Sequence, residues 1–309
     1  MITYYYRSLH DEIMLKPDIF KVGSLVVAET PDQAELKLLE SRFNLDPDLL
    51  ADALDPDEIP RIDSDRGILY VYMRYAYRNG GIVETDPILL SVGPTYVAVV
   101  SRRQLTGLDR LLNVPSTHTT QHAKLLLILL RHLVQSYESN VNYLDRQIRG
   151  VRARLNVATI NNRDFVQFVV IEDALNSFLA ELIPANLLLT GLMSNRQTTL
   201  IFDEEDRDLI EDLVQATRQL GETSQSSLRT VINIREAYSN IMTNNLNRRV
   251  ELLTSLTVVL TIPTIIFSLY GTNVPIPYQQ DSRAFAVLII TTLIIMVGSL
   301  YWLYKRRWL

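Results

Sequence analysis

Five hydroxyl side chains stand in one apolar stretch at intervals of three and four residues: Thr254, Thr257, Thr261, Thr264 and Ser268. That spacing puts all five on one face of a helix. The positions opposite are Leu, Ile, Val and Phe. Extended backward, the face passes Val250 and reaches Asn247; extended forward, it reaches Gly271 and Asn273. In lipid such a stripe must turn toward protein or water. Two readings stay open: a helix–helix contact made by small polar residues, or the wall of a pore. A line of uncharged oxygens suits a hydrated hard cation, which prefers oxygen and gives up its water reluctantly.

Other residues capable of chemistry carry less. His118 and His122 are four apart, a zinc-ligand spacing, but no third ligand is near and a solvated helix start explains them. His10 and His132 are isolated. Asp55, Asp57 and Glu58 read as an acidic, capped turn. The chain has no cysteine, which excludes disulfides, iron–sulfur clusters, Cys-ligated zinc and thiol catalysis. It has no Gly-x-x-x-x-Gly-Lys phosphate loop, no Gly-x-Gly-x-x-Gly and no Gly-x-Ser-x-Gly elbow. ATP-driven transport and hydrolytic catalysis therefore have no basis, and neither an enzyme nor an organic cofactor is expected. Transport would draw on the membrane potential, about 4.6 kcal/mol per divalent ion at 100 mV.

The elements that must position these residues follow from the distribution of charge. The 309 residues include 30 basic and 35 acidic ones, a net charge of −5. From residue 252 onward there is one acid, Asp281, and four bases, Arg283, Lys305, Arg306 and Arg307. The remainder is strongly acidic, which argues against a nucleic-acid partner. Residues 252–270 and 284–304 carry no charge at all. At 1.5 Å per residue each spans roughly 30 Å, the thickness of a bilayer's hydrocarbon core. The N-terminus turns polar within a few residues, so no signal peptide is expected. Arg248 and Arg249 precede the first span and the Lys305-Arg306-Arg307 run follows the second. The positive-inside rule then makes this a two-span protein of the cell membrane with both termini cytoplasmic. Tyr301, Trp302, Tyr304 and Trp308 form an interfacial aromatic cluster at that end.

Residues 1–117 read as a cytosolic α/β domain. Strands are expected at 2–7, 24–28, 67–77, 88–92 and 96–100, and helices at 32–43, with Pro31 at its start, and at 47–54. Residues 118–202 read as a helical hairpin, with helices at 121–155 and 164–193 and a break at 156–162. The acidic run 203–206 suits a helix N-terminus. From there a stalk helix, 203–251, continues into the first span, 252–270, without a Pro until Pro263. One helix from about 204 to about 270 would be on the order of 100 Å long. It needs neighbours to cover its apolar face, so an oligomer is expected. A loop at 271–283, the second span at 284–304 and a basic tail at 305–309 complete the chain.

The sequence Tyr270-Gly271-Thr272-Asn273 closes a first span and is followed by a short loop, a second span and Lys305-Arg306-Arg307-Trp308-Leu309. In this it resembles the CorA family of divalent-cation channels, whose hallmark is Tyr-Gly-Met-Asn at this place and a Lys-rich tail ending in Trp-Leu. The resemblance covers the whole chain. It implies a funnel-shaped homopentamer in the bilayer, with first spans lining the pore and second spans ringing them. By the same resemblance Gly271, Thr272 and Asn273 form the outer mouth, Asn273 holding a magnesium ion through its hydration shell. Asn247 matches a pore Asn near the inner end, and Val250 and Leu253 match apolar constrictions that gate by dewetting. Asp212 falls at the position of a cytosolic magnesium sensor, where acids of neighbouring subunits share metal. Its alternative is a solvated helix acid.

The chain departs from the family pattern in several places. Thr272 replaces Met, a position where a zinc-moving branch has Ile. From Pro263 to Gly271 the span is one residue shorter. Arg78 stands about where the sensor's partner acid should end a strand, leaving Glu84 or Asp86 as substitutes. The tip of the middle helices is basic, with Arg152, Arg154 and Arg163, and Asp281 is the one acid of the external loop. The resemblance implies magnesium influx, with cobalt or nickel as fellow travellers, gated by cytosolic metal. The alternatives are a proton-coupled zinc transporter of the same fold and a non-conducting membrane scaffold that senses metal.

Overall fold

The structure, a computed structural model, describes residues 2–154, 162–194, 200–273 and 283–306. It divides into two compact units. The first takes in the chain through Ile234 apart from a few residues between the middle helices; the second takes in the chain from Arg235 onward.

In the first unit the described residues form a six-stranded sheet in the order β1-β2-β6-β5-β4-β3. The strands are β1 (Ile2–Tyr5), β2 (Ser24–Glu29), β3 (Arg61–Asp65), β4 (Ile68–Asn79), β5 (Ile82–Val92) and β6 (Tyr96–Ser101). The β2–β6 pair is parallel and the others are antiparallel. Alternation along β4 feeds two cores. Tyr70 and Tyr72 join Leu39, Phe43 and Leu50 on one face, while Leu69, Val71 and Met73 join the long helices on the other.

Sequence expectations differ from the structure at four points. The strands expected at 67–77 and 88–92 are one hairpin, because Gly80 and Gly81 adopt φ of 57° and 91° and allow a two-residue turn between Asn79 and Ile82. The edge strand β3 was not expected; Asp63, Ser64 and Asp65 are poor strand formers, and pairing with β4 overrides them. The short helix α3 (Leu108–Leu112) was not expected either. Pro31 lies outside α1 (Gln33–Phe43), because Asp32 is the cap: it accepts from the Glu35 amide, and Glu35 returns to the Asp32 amide. The Pro-at-start rule holds instead in α2 (Pro47–Asp52), where Asp46 caps.

Two long helices follow, α4 (His122–Arg154) and α5 (Asn162–Met193). The next, α6, runs unbroken from Glu204 to Tyr270, 67 residues, and α7 is Ala284–Lys305. Within the first unit α6 buries Ile210, Leu213, Thr217, Leu220, Ser224, Ser227 and Val231, a strict 3-4 spacing against the other long helices. Asn186 bridges the seam, donating to the Val214 carbonyl at 2.7 Å and to Thr217 Oγ1 at 2.8 Å.

Candidate functional site

In the second unit α6 has two distinct faces. One packs on α7: Ser255 and Val259 are buried, and Ile262, Pro263 and Ile266 are half-buried, at spacings that return to the same side each turn. The facing residues of α7 include Thr292 and Leu303, both buried, and the half-buried Leu288, Met296 and Ser299. At 100° per residue the stripe Thr254, Thr257, Thr261, Thr264 and Ser268 is centred about 150° away. All five are exposed. Of the two readings of the stripe, contact with the second span within this chain is thereby excluded: Ser255, one position off the stripe, makes that contact. The sequence signal was present, a hydroxyl out of phase with the other five.

The stripe's hydrogen bonding decides what it offers. Thr257 donates to the Leu253 carbonyl at 2.8 Å, Thr261 to the Thr257 carbonyl at 2.7 Å and Thr264 to the Leu260 carbonyl at 3.0 Å. Each of these three hydroxyl protons is spent on its own helix, so each of these oxygens turns acceptor lone pairs outward. Oxygens of that kind receive hydrogen bonds from the water shell of a cation. Further back on α6, Asn247, Val250 and Leu253 are exposed. Val250 and Leu253 are large apolar side chains at 53% and 66% exposure.

At the other end Gly271 donates to the Phe267 carbonyl at 2.9 Å and continues the helical pattern for one residue. A Cβ there would come within 3.3 Å of that carbonyl, so the turn is tight. Thr272 closes the end twice over on the Leu269 carbonyl, through its amide at 3.4 Å and its hydroxyl at 2.8 Å. Asn273 follows, exposed, beside a helix C-terminus whose carbonyls carry partial negative charge and favour a cation. Asp281, expected in the following loop, lies outside the described residues, as do Arg307, Trp308, Leu309 and the side chains of Arg154 and Arg163.

The expected sensor residues are not brought together within one chain. Asp212 is exposed on α6 beside buried Leu213. Glu84 accepts from the Tyr77 hydroxyl at 2.8 Å, and Asp86 pairs with Arg103 Nε at 3.0 Å. Arg103 also donates to the Tyr77 hydroxyl at 2.9 Å. Burial, helped by Glu84, pushes the Tyr77 phenol up from its ordinary range. Both candidate partner acids are therefore engaged on the sheet. Arg78 caps β4 with its guanidinium over the Tyr143 ring, 5.1 Å from the centroid. Among the described residues no three metal-ligating side chains cluster. His118 and His122 are half-buried rather than solvated, His118 Nδ1 lying 3.1 Å from the Ser8 carbonyl. Burial holds the His122 imidazole below its ordinary pKa.

Two helices, α6 and α7, are long and apolar enough to cross a membrane, and their apolar windows are almost wholly uncovered. Tyr301, Trp302 and Tyr304 stand exposed at the end of α7, and Arg306 lies over the Trp302 ring at 5.5 Å.

Residues 25–306 match the family model described as CorA-like Mg2+ transporter protein. The cobalt/magnesium transport protein CorA of Methanocaldococcus jannaschii is 21% identical over 287 residues, 90% of this chain and 89% of that one. The complete structure of the CorA magnesium transporter from the same organism superimposes with a TM-score of 0.84 at 18% identity, covering 100% of this chain and 99% of that one. The full-length CmaX protein superimposes with a TM-score of 0.73 at 17% identity, covering 99% and 97%. At these identities the structural likeness speaks for the fold.

Proposed function

The chain belongs to the CorA family, and from that premise we propose that it is a membrane channel admitting magnesium to the cytoplasm, with cobalt and nickel as further cargo. The observation that carries this reading is the hydroxyl face of α6, turned away from the chain's own second span and ending at Asn273. Covering that face in a bilayer takes other copies or water, and a ring of copies supplies both. A homopentamer with the first spans inside is the family's arrangement. In it Thr254, Thr257, Thr261, Thr264 and Ser268 line the path with acceptor oxygens. Asn247 marks the inner end, and Val250 and Leu253 form an apolar constriction that gates by dewetting. Gly271, Thr272 and Asn273 form the mouth. Asn273 hydrogen-bonds the ion's water shell, which suits an ion that dehydrates reluctantly.

The membrane potential drives the ion inward. Both termini face the cytoplasm, consistent with the basic residues flanking the spans. Asp212 is the regulatory acid: magnesium held there between neighbouring copies keeps the pore closed, and its loss loosens that contact. Arg78 at the end of β4 leaves Asp212 without the usual acidic partner on the neighbour.

Ion flux into liposomes carrying the purified protein tests the reading, with magnesium, cobalt and zinc supplied separately and with or without a proton gradient. Magnesium influx indifferent to protons is expected. Zinc influx that follows protons would overturn the magnesium reading in favour of a coupled transporter, and a folded oligomer passing no ion would overturn conduction altogether.

A further inference from the structure

The hairpin between β4 and β5 turns on Gly80 and Gly81, and the residue that enters the turn is Asn79. It is the one asparagine of the chain that a glycine follows. The peptide nitrogen after an asparagine can attack the side-chain carboxamide and close a five-membered ring. A side chain on the following residue crowds that approach, and glycine has none.

We propose that Asn79 is a site of spontaneous deamidation in the folded protein. Residues 78–82 are all exposed. A Cβ on Gly80 would meet nothing within 4 Å, so the space around the attacking nitrogen is open. The Gly80 amide takes no part in the ladder, whose last pair is Asn79 with Ile82. The attack needs only that pair to open, and the end of a hairpin opens at little cost. The carboxamide is loosely held, since Asn79 Nδ2 reaches Glu84 Oε2 at 3.4 Å, beyond the ordinary N–H···O range. Asn176, followed by Ser177, lies inside α5, where the attacking amide is committed to the helix.

The atoms balance with water as the only other reactant. The Gly80 nitrogen gives its proton to solvent base and bonds to Asn79 Cγ, the Cγ–Nδ2 bond breaks, and ammonia leaves. Water then opens the succinimide at either carbonyl and gives aspartate or isoaspartate. Each event adds one negative charge beside Glu84, so like charges repel where a donor stood. Isoaspartate also lengthens the backbone by one methylene ahead of a two-residue turn whose geometry is matched to the strands it joins. The modification therefore weakens this end of the hairpin and leaves its buried part, where Leu69 to Met73 pair with Val92 to Ile88, untouched.

Peptide mapping by mass spectrometry of the full-length protein in detergent, stored at neutral and at mildly alkaline pH, tests this. Conversion at Asn79 should lead that at every other asparagine, with isoaspartate in excess of aspartate. It should quicken at the higher pH, because the attacking nitrogen must lose its proton. Asn79→Gln keeps the amide but needs a larger ring, and should abolish the signal in that peptide. The chain denatured in guanidinium gives the rate without structure, and the folded protein should react at a rate of the same order. Conversion in the denatured chain alone, earlier conversion at Asn176, or a rate indifferent to pH would overturn the proposal. None of these outcomes bears on conduction, which liposome flux reads separately.

Discussion

Arg74 Nε on β4 lies 2.9 Å from Glu181 Oε1 on α5, and the two side chains are only 10% and 9% exposed. The carboxylate also accepts from Thr85 at 2.5 Å and from Tyr137 at 2.7 Å. The guanidinium donates to the carbonyls of Pro56, Glu58 and Thr85 as well. Burial raises the Glu181 pKa, and the hydrogen bonds from Thr85 and Tyr137 and the Arg74 charge oppose that shift, so the pair depends on these partners. Four elements meet at this point: β4, β5, α4 and α5. Removing one partner strands the other, so Glu181→Ala should cost about 3–5 kcal/mol. Glu181→Gln, which keeps the side-chain volume and one acceptor oxygen for Thr85 or Tyr137, should cost less. Thermal unfolding of the detergent-solubilised chain ranks the two, and equal melting temperatures would show that the amide kept by glutamine contributes nothing.

The second prediction concerns pH. His132 is half-buried, its ring 6.1 Å from that of Tyr75, and a Cβ on Gly107 would lie 3.4 Å from its Cε1. Burial holds its pKa below the ordinary value, against the opposing hydrogen bond to the Thr106 backbone. His122 is held down by burial in the same way. Between the lowered folded value and the unfolded value near 6.5, the unfolded chain binds more protons. Stability from these groups is complete above about pH 6.5 and is lost as pH falls below it. Melting temperature should therefore drop between pH 7.5 and 5.5. His132→Phe should remove roughly half of that drop, leaving His122 the rest. An unaltered slope in the variant would place the titration elsewhere.

Much of this was legible in the sequence because period and charge report burial directly. The 67 residues of α6 stood out since no Pro interrupts them before Pro263, and Pro263 is carried inside the helix. The stripe was legible as a face, but its neighbour was not. Only packing shows that Ser255 meets α7 while Thr257 does not, because both are small hydroxyl residues of equal cost in lipid. The strand β3 was hidden by its acids, and the buried Glu181 by an apolar run that reads the same whether one carboxylate within it is paired or solvated. Arg74 is distant in sequence, so their pairing is a property of the fold alone.

Those two faces of α6 respond differently to the same change. Thr261→Val keeps shape and removes a hydroxyl that bonds only to its own helix, so folding should survive and ion passage should slow. Ser255→Leu adds bulk where exposure is 0%, and overpacking of this kind costs typically about 1–3 kcal/mol. Melting temperature should fall in Ser255→Leu and hold in Thr261→Val, while liposome flux falls in Thr261→Val. A Thr261→Val channel of normal rate would remove the stripe from the path.

Asp212 tests gating. Its position on an exposed face of α6, one residue from the buried seam, is where a carboxylate can reach a neighbouring copy without disturbing its own core. Asp212→Ala should leave stability within about 0.5 kcal/mol of wild type, as exposed substitutions do. Closure by internal magnesium should need severalfold more of the ion. Flux at graded internal magnesium measures this, and an unshifted inhibition curve would return Asp212 to the role of a solvated helix acid.

The mouth carries the sharpest test. Gly271 and Thr272 spend their amides on the Phe267 and Leu269 carbonyls, so the turn after α6 is set by the backbone and by the Thr272 hydroxyl. Asn273 takes no part in that closure, and truncating it should leave the helix end and the oligomer intact. Its amide offers both a donor and an acceptor to a hydrated ion, and alanine offers neither. Asn273→Ala should therefore lower magnesium flux by at least tenfold, a barrier increase of about 1.4 kcal/mol, the order of one or two lost hydrogen bonds. Thr272→Met leaves the amide closure in place and should retain flux. Size-exclusion chromatography establishes that both variants assemble before their rates are compared. A correctly assembled Asn273→Ala protein that still conducts at the wild-type rate would place ion capture elsewhere than at the end of α6.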